Sequence, residues 1–133
     1  MPRIILAEDD ELIGEIIVEC LSRAGFAVGW LRDGAAALQA IRFRTPHLVI
    51  LDQQMPIMSG NQVLREMRSR PEMVMVPVMM LTAISGEGDQ SIAYFDGADE
   101  YLTKPFDPSK LVFRAQALIN KKLRRTMPDV MIR

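Results

Sequence analysis

The sequence predicts a doubly wound α/β fold, a five-stranded parallel sheet with five helices covering both faces. Short apolar runs alternate along the chain with segments whose apolar residues recur at helical spacing. The strongest runs are apolar at consecutive positions, as in strands that are covered on both faces. Acidic, hydroxyl and basic residues follow several runs, and functional residues of such sheets lie beyond the carboxyl ends of the strands.

Five segments are predicted as strands. Three are continuous apolar runs at residues 4–7, 48–51 and 78–81. Two weaker strands are expected at residues 27–31 and 100–102. Because a helical segment separates each strand from the next, right-handed crossovers would join all five in one parallel sheet.

The first predicted helix follows the first strand. Asp10 is expected to cap its amino end, and Gly25 is expected to end it. Its apolar stripe recurs at one-face spacing and consists of Ile13, Ile16, Ile17, Cys20 and Leu21. On this stripe Cys20 is expected to be a small core residue rather than a reactive thiol.

Four more helices complete the pattern. The second runs from Gly34 to about Phe43 with Asp33 as its cap, and the third spans about residues 61–68. The fourth is expected near residues 89–95 and stops before Gly97. The fifth opens at Pro108, a favoured residue in a first helical turn.

Composition limits the class of protein. The chain has 133 residues, a length typical of one domain, and a formal net charge of −1. Without a basic excess, direct contact of this domain with nucleic acid is not expected. No apolar stretch reaches the roughly 20 residues that cross a bilayer, so no membrane partner is expected. Cys20 is the only cysteine, which favours a reducing, cytoplasmic location.

The domain is expected at residues 1–123. Residues 124–133 are expected to be a tail or the start of a linker.

The residues at the strand ends suggest the chemistry. Carboxylates, a hydroxyl and an ammonium group come from four separate segments: Glu8, Asp9 and Asp10; Asp52; Thr82 and Ala83; and Lys104 with Pro105. Clustered carboxylates repel each other unless a cation lies between them. A few hard oxygen ligands suit Mg²⁺, which keeps several of its waters. Together with Lys104, one Mg²⁺ would balance Glu8, Asp9 and Asp52, whereas Asp10 is better explained as a helix cap.

At these positions the sequence resembles bacterial response-regulator receiver domains. Glu8-Asp9 is similar to the acidic pair of that family, and the stretch from Asp52 to Gly60 (Asp-Gln-Gln-Met-Pro-Ile-Met-Ser-Gly) is similar to its phosphoacceptor segment. Leu81-Thr82-Ala83 resembles the switch-hydroxyl segment. Residues 97–106 resemble the stretch with the switch aromatic and the active-site lysine. The resemblance covers about residues 3–123 and implies a flavodoxin-like fold.

The resemblance implies a role for each matching residue. Asp52 would accept a phosphoryl group from a histidine kinase or a phosphotransfer protein. Mg²⁺ would be held by the side chains of Asp9 and Asp52, by the backbone carbonyl of Gln54, and by Glu8 through a water molecule. Thr82, followed by Ala83, and Lys104, followed by Pro105, would bind phosphoryl oxygens. Tyr101 would turn inward as Thr82 moves.

Two alternatives remain open at this point. A Mg²⁺-dependent phosphohydrolase with an aspartyl-phosphate intermediate would usually place a second acid two residues after the nucleophile, where this chain has Gln54. A pseudo-receiver would bind partners without taking phosphate, which the set of Asp52, Thr82 and Lys104 argues against. The chain is therefore expected to be a switch and not a turnover enzyme, although it would take part in its own phosphotransfer and dephosphorylation.

The region after the fourth strand most resembles receivers that are attached to winged-helix DNA-binding domains. Those receivers dimerise through their fourth helix, fifth strand and fifth helix, so a homodimer through this face is one expectation. Asp99, Glu100 and Arg114 fit the charged pairs of such a dimer. Ile92 and Lys110 depart from the pattern, because the subfamily usually has a basic and an acidic residue there.

Overall fold

In the computed structural model, residues 1–83 and 97–126 are described. They form strands β1 (Arg3–Ala7), β2 (Ala27–Leu31), β3 (Leu48–Asp52), β4 (Val78–Thr82) and β5 (Glu100–Thr103). Between and after the strands lie helices α1 (Glu11–Arg23), α2 (Gly34–Phe43), α3 (Gly60–Arg68) and the C-terminal helix (Pro108–Thr126). The fourth predicted helix, near residues 89–95, lies outside the described residues.

The five strands form one sheet in the order β2-β1-β3-β4-β5, and every neighbouring pair is parallel. This arrangement confirms the predicted doubly wound sheet. β3 and β4 are buried at every residue, whereas β2 at the sheet edge is only half-buried throughout. The edge position explains why β2 has a weaker apolar pattern than the central strands.

Apolar side chains of alternate strand residues enter two separate cores. Val49 and Leu51 of β3 pack on the face that α2 and α3 cover. Leu48 and Ile50 pack on the opposite face, among side chains of α1 and the C-terminal helix. Because successive side chains of a strand point to opposite faces, a strand between two cores is apolar at every position.

Side-chain caps fix where the helices begin. Asp10 accepts a hydrogen bond from the backbone N–H of Ile13 at 2.9 Å, as predicted. Asp33 caps α2 in the same way. At α3, Ser59 and Gln62 form a reciprocal capping box, which starts this helix at Gly60.

The apolar stripe predicted for α1 is partly wrong. Ile17 is buried as expected, but Ile16 is 40% exposed and Cys20 is only half-buried. The buried face also includes Gly14, whose backbone lies so close to the Trp30 ring that a Cβ atom would not fit. The tryptophan of β2 thus fills space that the stripe analysis assigned to helix side chains.

Arg68, the last residue of α3, ties this helix to the sheet. Its guanidinium donates hydrogen bonds to the carbonyl oxygens of Gly97, Val74 and Val76 at 2.9, 3.1 and 2.7 Å. A fourth bond, of 2.9 Å, reaches the Asp99 carboxylate. This one side chain therefore fixes the loop before β4 and the residues that lead into β5.

The C-terminal helix begins at Pro108, as predicted, and continues past Leu123 to Thr126. The expectation that the domain ends at residue 123 and a tail or linker follows remains a prediction. Within the described residues, no helix has the length and apolarity to cross a bilayer.

Candidate functional site

The acidic residues meet where β1 and β3 end. These two strands are neighbours, with Ala7 beside Leu51, so Glu8 comes to lie next to Asp52. Carboxylate oxygens of Glu8, Asp9 and Asp52 lie within 4.8 Å of one another. Glu8 and Asp52 are buried, whereas Asp9 is exposed. Three carboxylates thus share one small volume that opens to solvent on the Asp9 side.

Lys104 supplies the cation that holds two of these carboxylates together. Its ammonium nitrogen lies 2.7 Å from Oε1 of Glu8 and 3.1 Å from Oδ2 of Asp52. The backbone N–H of Lys104 bonds to the carbonyl oxygen of Thr82 at 2.6 Å, which places the lysine beside the end of β4. The peptide bond between Lys104 and Pro105 is cis.

Burial changes the protonation of this group. Burial, together with a hydrogen bond to Asp52, raises the pKa of Glu8 from 4.5 to about 7, although Lys104 partly opposes the shift. Burial alone would lower the pKa of Lys104, but its bonds to Glu8 and Asp52 raise it above its ordinary value of 10.5. Lys104 therefore stays charged near neutral pH, while a fraction of Glu8 is protonated.

The oxygen atoms fit a hard divalent cation. The three carboxylates converge, and a single ammonium group does not balance them when all are ionised. Burial is the main cause of the raised pKa of Glu8, and a second positive charge would favour its ionised form. Carboxylate ligands with an open side for water are the donor set that Mg²⁺ accepts.

The other predicted site residues surround this cluster. The Gln54 N–H bonds to Oδ1 of Asp52 at 3.3 Å, which keeps its backbone beside the carboxylate while its side chain is exposed. Thr82 is buried at the end of β4. Because Leu81 of β4 pairs with Asp52 of β3, Thr82 lies next to the end of β3. Ala83 and Pro105 are exposed at this edge.

Tyr101 does not line the acidic cluster. Its side chain is buried in the core under α2 and α3, at 6% exposure, and its backbone pairs with Met80 of β4. The structure thus holds Tyr101 in an inward position. Movement of this side chain with Thr82 stays a prediction.

Two backbone features of the segment after Asp52 were not predicted from the sequence. A Cβ atom at Gly60 would collide with the carbonyl oxygen of Asp52, so α3 begins in direct contact with the backbone of β3. Between them, Ile57 has a φ of 70° and is 81% exposed. The spacing of Asp52 and Gly60 in the phosphoacceptor-like segment is the sequence feature that could have predicted this close contact.

Trp30 is the other residue that sequence reasoning missed. Its indole N–H donates a hydrogen bond of 2.8 Å to the backbone carbonyl of Glu8. Trp30 is the only tryptophan of the chain and lies in the edge strand β2. Nothing in the local sequence pattern connects that strand to the acidic pair; the contact depends on the register that places Trp30 opposite Leu6.

Two curated bacterial proteins are similar to this chain in sequence. The transcriptional regulatory protein GltR of Pseudomonas aeruginosa is 41% identical over 118 residues, which cover 89% of this chain and 49% of GltR. The response regulator protein PmrA of the same organism is 39% identical over 128 residues, 96% of this chain and 57% of PmrA. The chain thus spans about half the length of these curated relatives. A transcriptional regulator among them fits the resemblance to receivers of winged-helix transcription factors.

A solved structure shares the fold. The receiver domain of the Francisella response regulator 1452 superposes with a TM-score of 0.86 at 27% identity, covering 91% of this chain and 98% of that one. The family profile of the response regulator receiver domain matches residues 4–116, which include every strand except the first residue of β1. The chain therefore belongs to the family of response regulator receiver domains.

Proposed function

We propose that this domain is a phosphorylation-driven switch in which Asp52 accepts a phosphoryl group with the help of Mg²⁺. The observation that carries the proposal is the ion pair of buried Asp52 and half-buried Lys104, joined to Glu8 and open toward Asp9. Receiver domains take phosphoryl groups from histidine kinases, so the donor we propose is a sensor histidine kinase or a phosphotransfer protein.

The transfer needs one nucleophile and little other covalent chemistry. A carboxylate oxygen of Asp52 attacks the phosphorus of a phosphohistidine, the P–N bond breaks, and the imidazole nitrogen keeps the electron pair. The product is an acyl phosphate on Asp52. In phosphoryl transfer, positioning and charge neutralisation supply most of the acceleration.

Lys104 and Thr82 are suited to bind the transferred group. Lys104 already contacts Asp52 and can exchange this contact for a phosphoryl oxygen, which keeps a positive charge beside the developing negative charge. Thr82 ends the neighbouring strand and offers a hydroxyl on the same edge. Both side chains would bind the phosphoryl group directly, whereas Ala83 and Pro105 border it.

The metal ligands we propose are the side chains of Asp9 and Asp52, the backbone carbonyl of Gln54, and Glu8 through water. When bound, Mg²⁺ would neutralise charge on the phosphoryl oxygens. Glu8 is buried and pairs with Lys104, which suits a residue that holds a water molecule and the lysine instead of entering the innermost ligand shell.

A slow self-catalysed dephosphorylation is part of the proposal. Water would attack the phosphorus of the acyl phosphate and release inorganic phosphate and the Asp52 carboxylate. The Gln54 side chain is exposed next to Asp52, on a path that such a water could take. Its substitution is therefore expected to change the rate of dephosphorylation.

Intact-protein mass spectrometry tests the central step. With acetyl phosphate and Mg²⁺, the chain should gain the mass of one phosphoryl group, and both Asp52→Ala and omission of Mg²⁺ should abolish the gain. Asp10→Ala is a matched control, because it removes a neighbouring carboxylate that serves as a helix cap. No gain by the wild-type chain would favour a pseudo-receiver. Turnover of a generic phosphate ester would favour a phosphohydrolase.

A homodimer that forms on phosphorylation is a second part of the proposal. Asp99, Glu100 and Arg114 were expected to reach a second copy, yet Arg114 bonds to Glu100 at 2.8 Å and Asp99 bonds to Arg68 within one chain. A dimer through this face would thus exchange these partners or use apolar side chains such as Ile92. Sedimentation velocity with and without beryllofluoride tests it, and monomers in both conditions would contradict it.

The setting of the domain completes the proposal. We place it in the cytoplasm, as the single cysteine suggests, with residues 124–133 leading out of the domain. We expect no direct contact of the domain with nucleic acid or a membrane. Any such contact would come from a further domain.

A further inference from the structure

We infer that Trp30 is a positioning residue for the metal site and acts through the peptide bond between Glu8 and Asp9. The inference rests on the proposed function, since it concerns the affinity of that site for Mg²⁺. The hydrogen bond of the Trp30 side chain is to the backbone of the acidic pair.

β2 holds the two peptide groups on either side of Glu8, each by one hydrogen bond. The N–H of Glu8 bonds to the carbonyl oxygen of Leu31 at 3.0 Å, which extends the ladder between β1 and β2. The carbonyl of Glu8 accepts the indole N–H of Trp30 at 2.8 Å. Because this carbonyl belongs to the peptide plane that leads into Asp9, the indole helps to fix the position of the Asp9 Cα atom, from which the side chain extends.

Asp9 depends on that backbone for its orientation. Across residues 1–83 and 97–126, no hydrogen bond or ion pair to the Asp9 carboxylate is found, and the residue is exposed. Glu8 differs, since Lys104 and the N–H of Asp10 hold its carboxylate. The ligand with the fewest contacts of its own is thus the one whose peptide is anchored by Trp30.

The indole ring has two further contacts. It lies against the backbone of Gly14, where no side chain would fit. In addition, the Arg32 guanidinium carbon lies 4.3 Å from the ring centre. Arg32 also lies 3.8 Å from Glu11 in the first turn of α1. A ring packed in this way has little freedom, so its N–H is a rigid donor.

The test is removal of the N–H with the shape of the ring kept. Replacement of Trp30 by benzothienylalanine exchanges the N–H for sulfur, and Trp30→Phe removes it more simply. We expect the Mg²⁺ dissociation constant, measured by isothermal titration calorimetry, to rise about three- to tenfold in both, as the loss of one hydrogen bond would give. Phe26→Leu, in the same core but away from the acidic pair, should leave it unchanged although it destabilises the fold.

Wild-type fluorescence gives a second measurement. Trp30 is the sole tryptophan, so Mg²⁺ should change its emission with the midpoint found by calorimetry. Unchanged Mg²⁺ affinity in both Trp30 variants, with stability lowered as in Phe26→Leu, would overturn the inference and assign Trp30 a packing role alone. Failure of the wild-type chain to bind Mg²⁺ at all would instead refute the proposed function.

Discussion

Raising the pH from 5 to 8 should destabilise the metal-free protein through Glu8. The pKa of this buried carboxyl is raised to about 7 in the folded state and is 4.5 as an ordinary value. Below pH 4.5 the group is protonated in both states. Between pH 4.5 and 7 the folded state retains a proton that the unfolded chain loses, so the stabilising effect of that proton disappears as the pH rises.

The size of the effect follows from the shift. Each pKa unit corresponds to about 1.36 kcal/mol, so a change from 4.5 to about 7 corresponds to about 3 kcal/mol. Glu8 has no exposed surface, so most of this shift counts toward stability. The raised pKa of Lys104 adds stability below its ordinary value of 10.5, and part of that stability depends on the ionised form of Glu8.

Urea unfolding in the presence of a chelator measures this dependence. The difference in unfolding free energy between the wild-type chain and Glu8→Gln should change by about 2.5 kcal/mol between pH 5 and 8, because glutamine cannot titrate. Glu15→Gln is the matched control, since Glu15 is exposed on α1 and its loss should preserve the wild-type slope. Parallel pH profiles for wild type and Glu8→Gln would refute the assignment of the raised pKa to Glu8.

Two further substitutions test the ion pair and the buried arginine. Lys104→Ala leaves two buried carboxylates without their cation, so the unfolding free energy at pH 8 without metal should fall by about 3 kcal/mol or more. The loss should be smaller at pH 5. Urea titrations at both pH values check this, and equal losses would contradict it. Arg68→Ala removes four hydrogen bonds and should cost about 3 kcal/mol or more. Arg70→Ala, which breaks a more exposed ion pair, should cost below about 1 kcal/mol in the same denaturation assay. Similar losses for the two arginines would contradict the role given to Arg68.

The sheet was predictable because its determinants are local. Consecutive apolar residues indicate strands that are covered twice, and Asp10 and Asp33 indicate where helices begin. The apolar stripe of α1 was predicted less well. Helical spacing alone does not show which part of a wide apolar face meets the sheet, and the ring of Trp30 shifted that face toward Gly14.

The sequence predicted which residues converge at the candidate site, but not how their burial differs. Parallel strands deliver Glu8, Asp9, Asp52 and Lys104 to one edge, so their convergence follows from topology. The sequence does not distinguish Glu8 from Asp9, yet one is fully buried and the other exposed. That difference, and with it the raised pKa, arises from long-range packing around the strand ends.

The salt bridge between Lys104 and Glu8 joins residues 96 positions apart in the chain. During synthesis, the ribosome therefore releases the proposed acceptor Asp52 well before the lysine that balances its charge. A nascent or truncated chain that ends before Lys104 carries the acceptor without the complete pocket. We therefore expect a fragment that ends before Lys104 to compete poorly for phosphoryl groups with the complete domain.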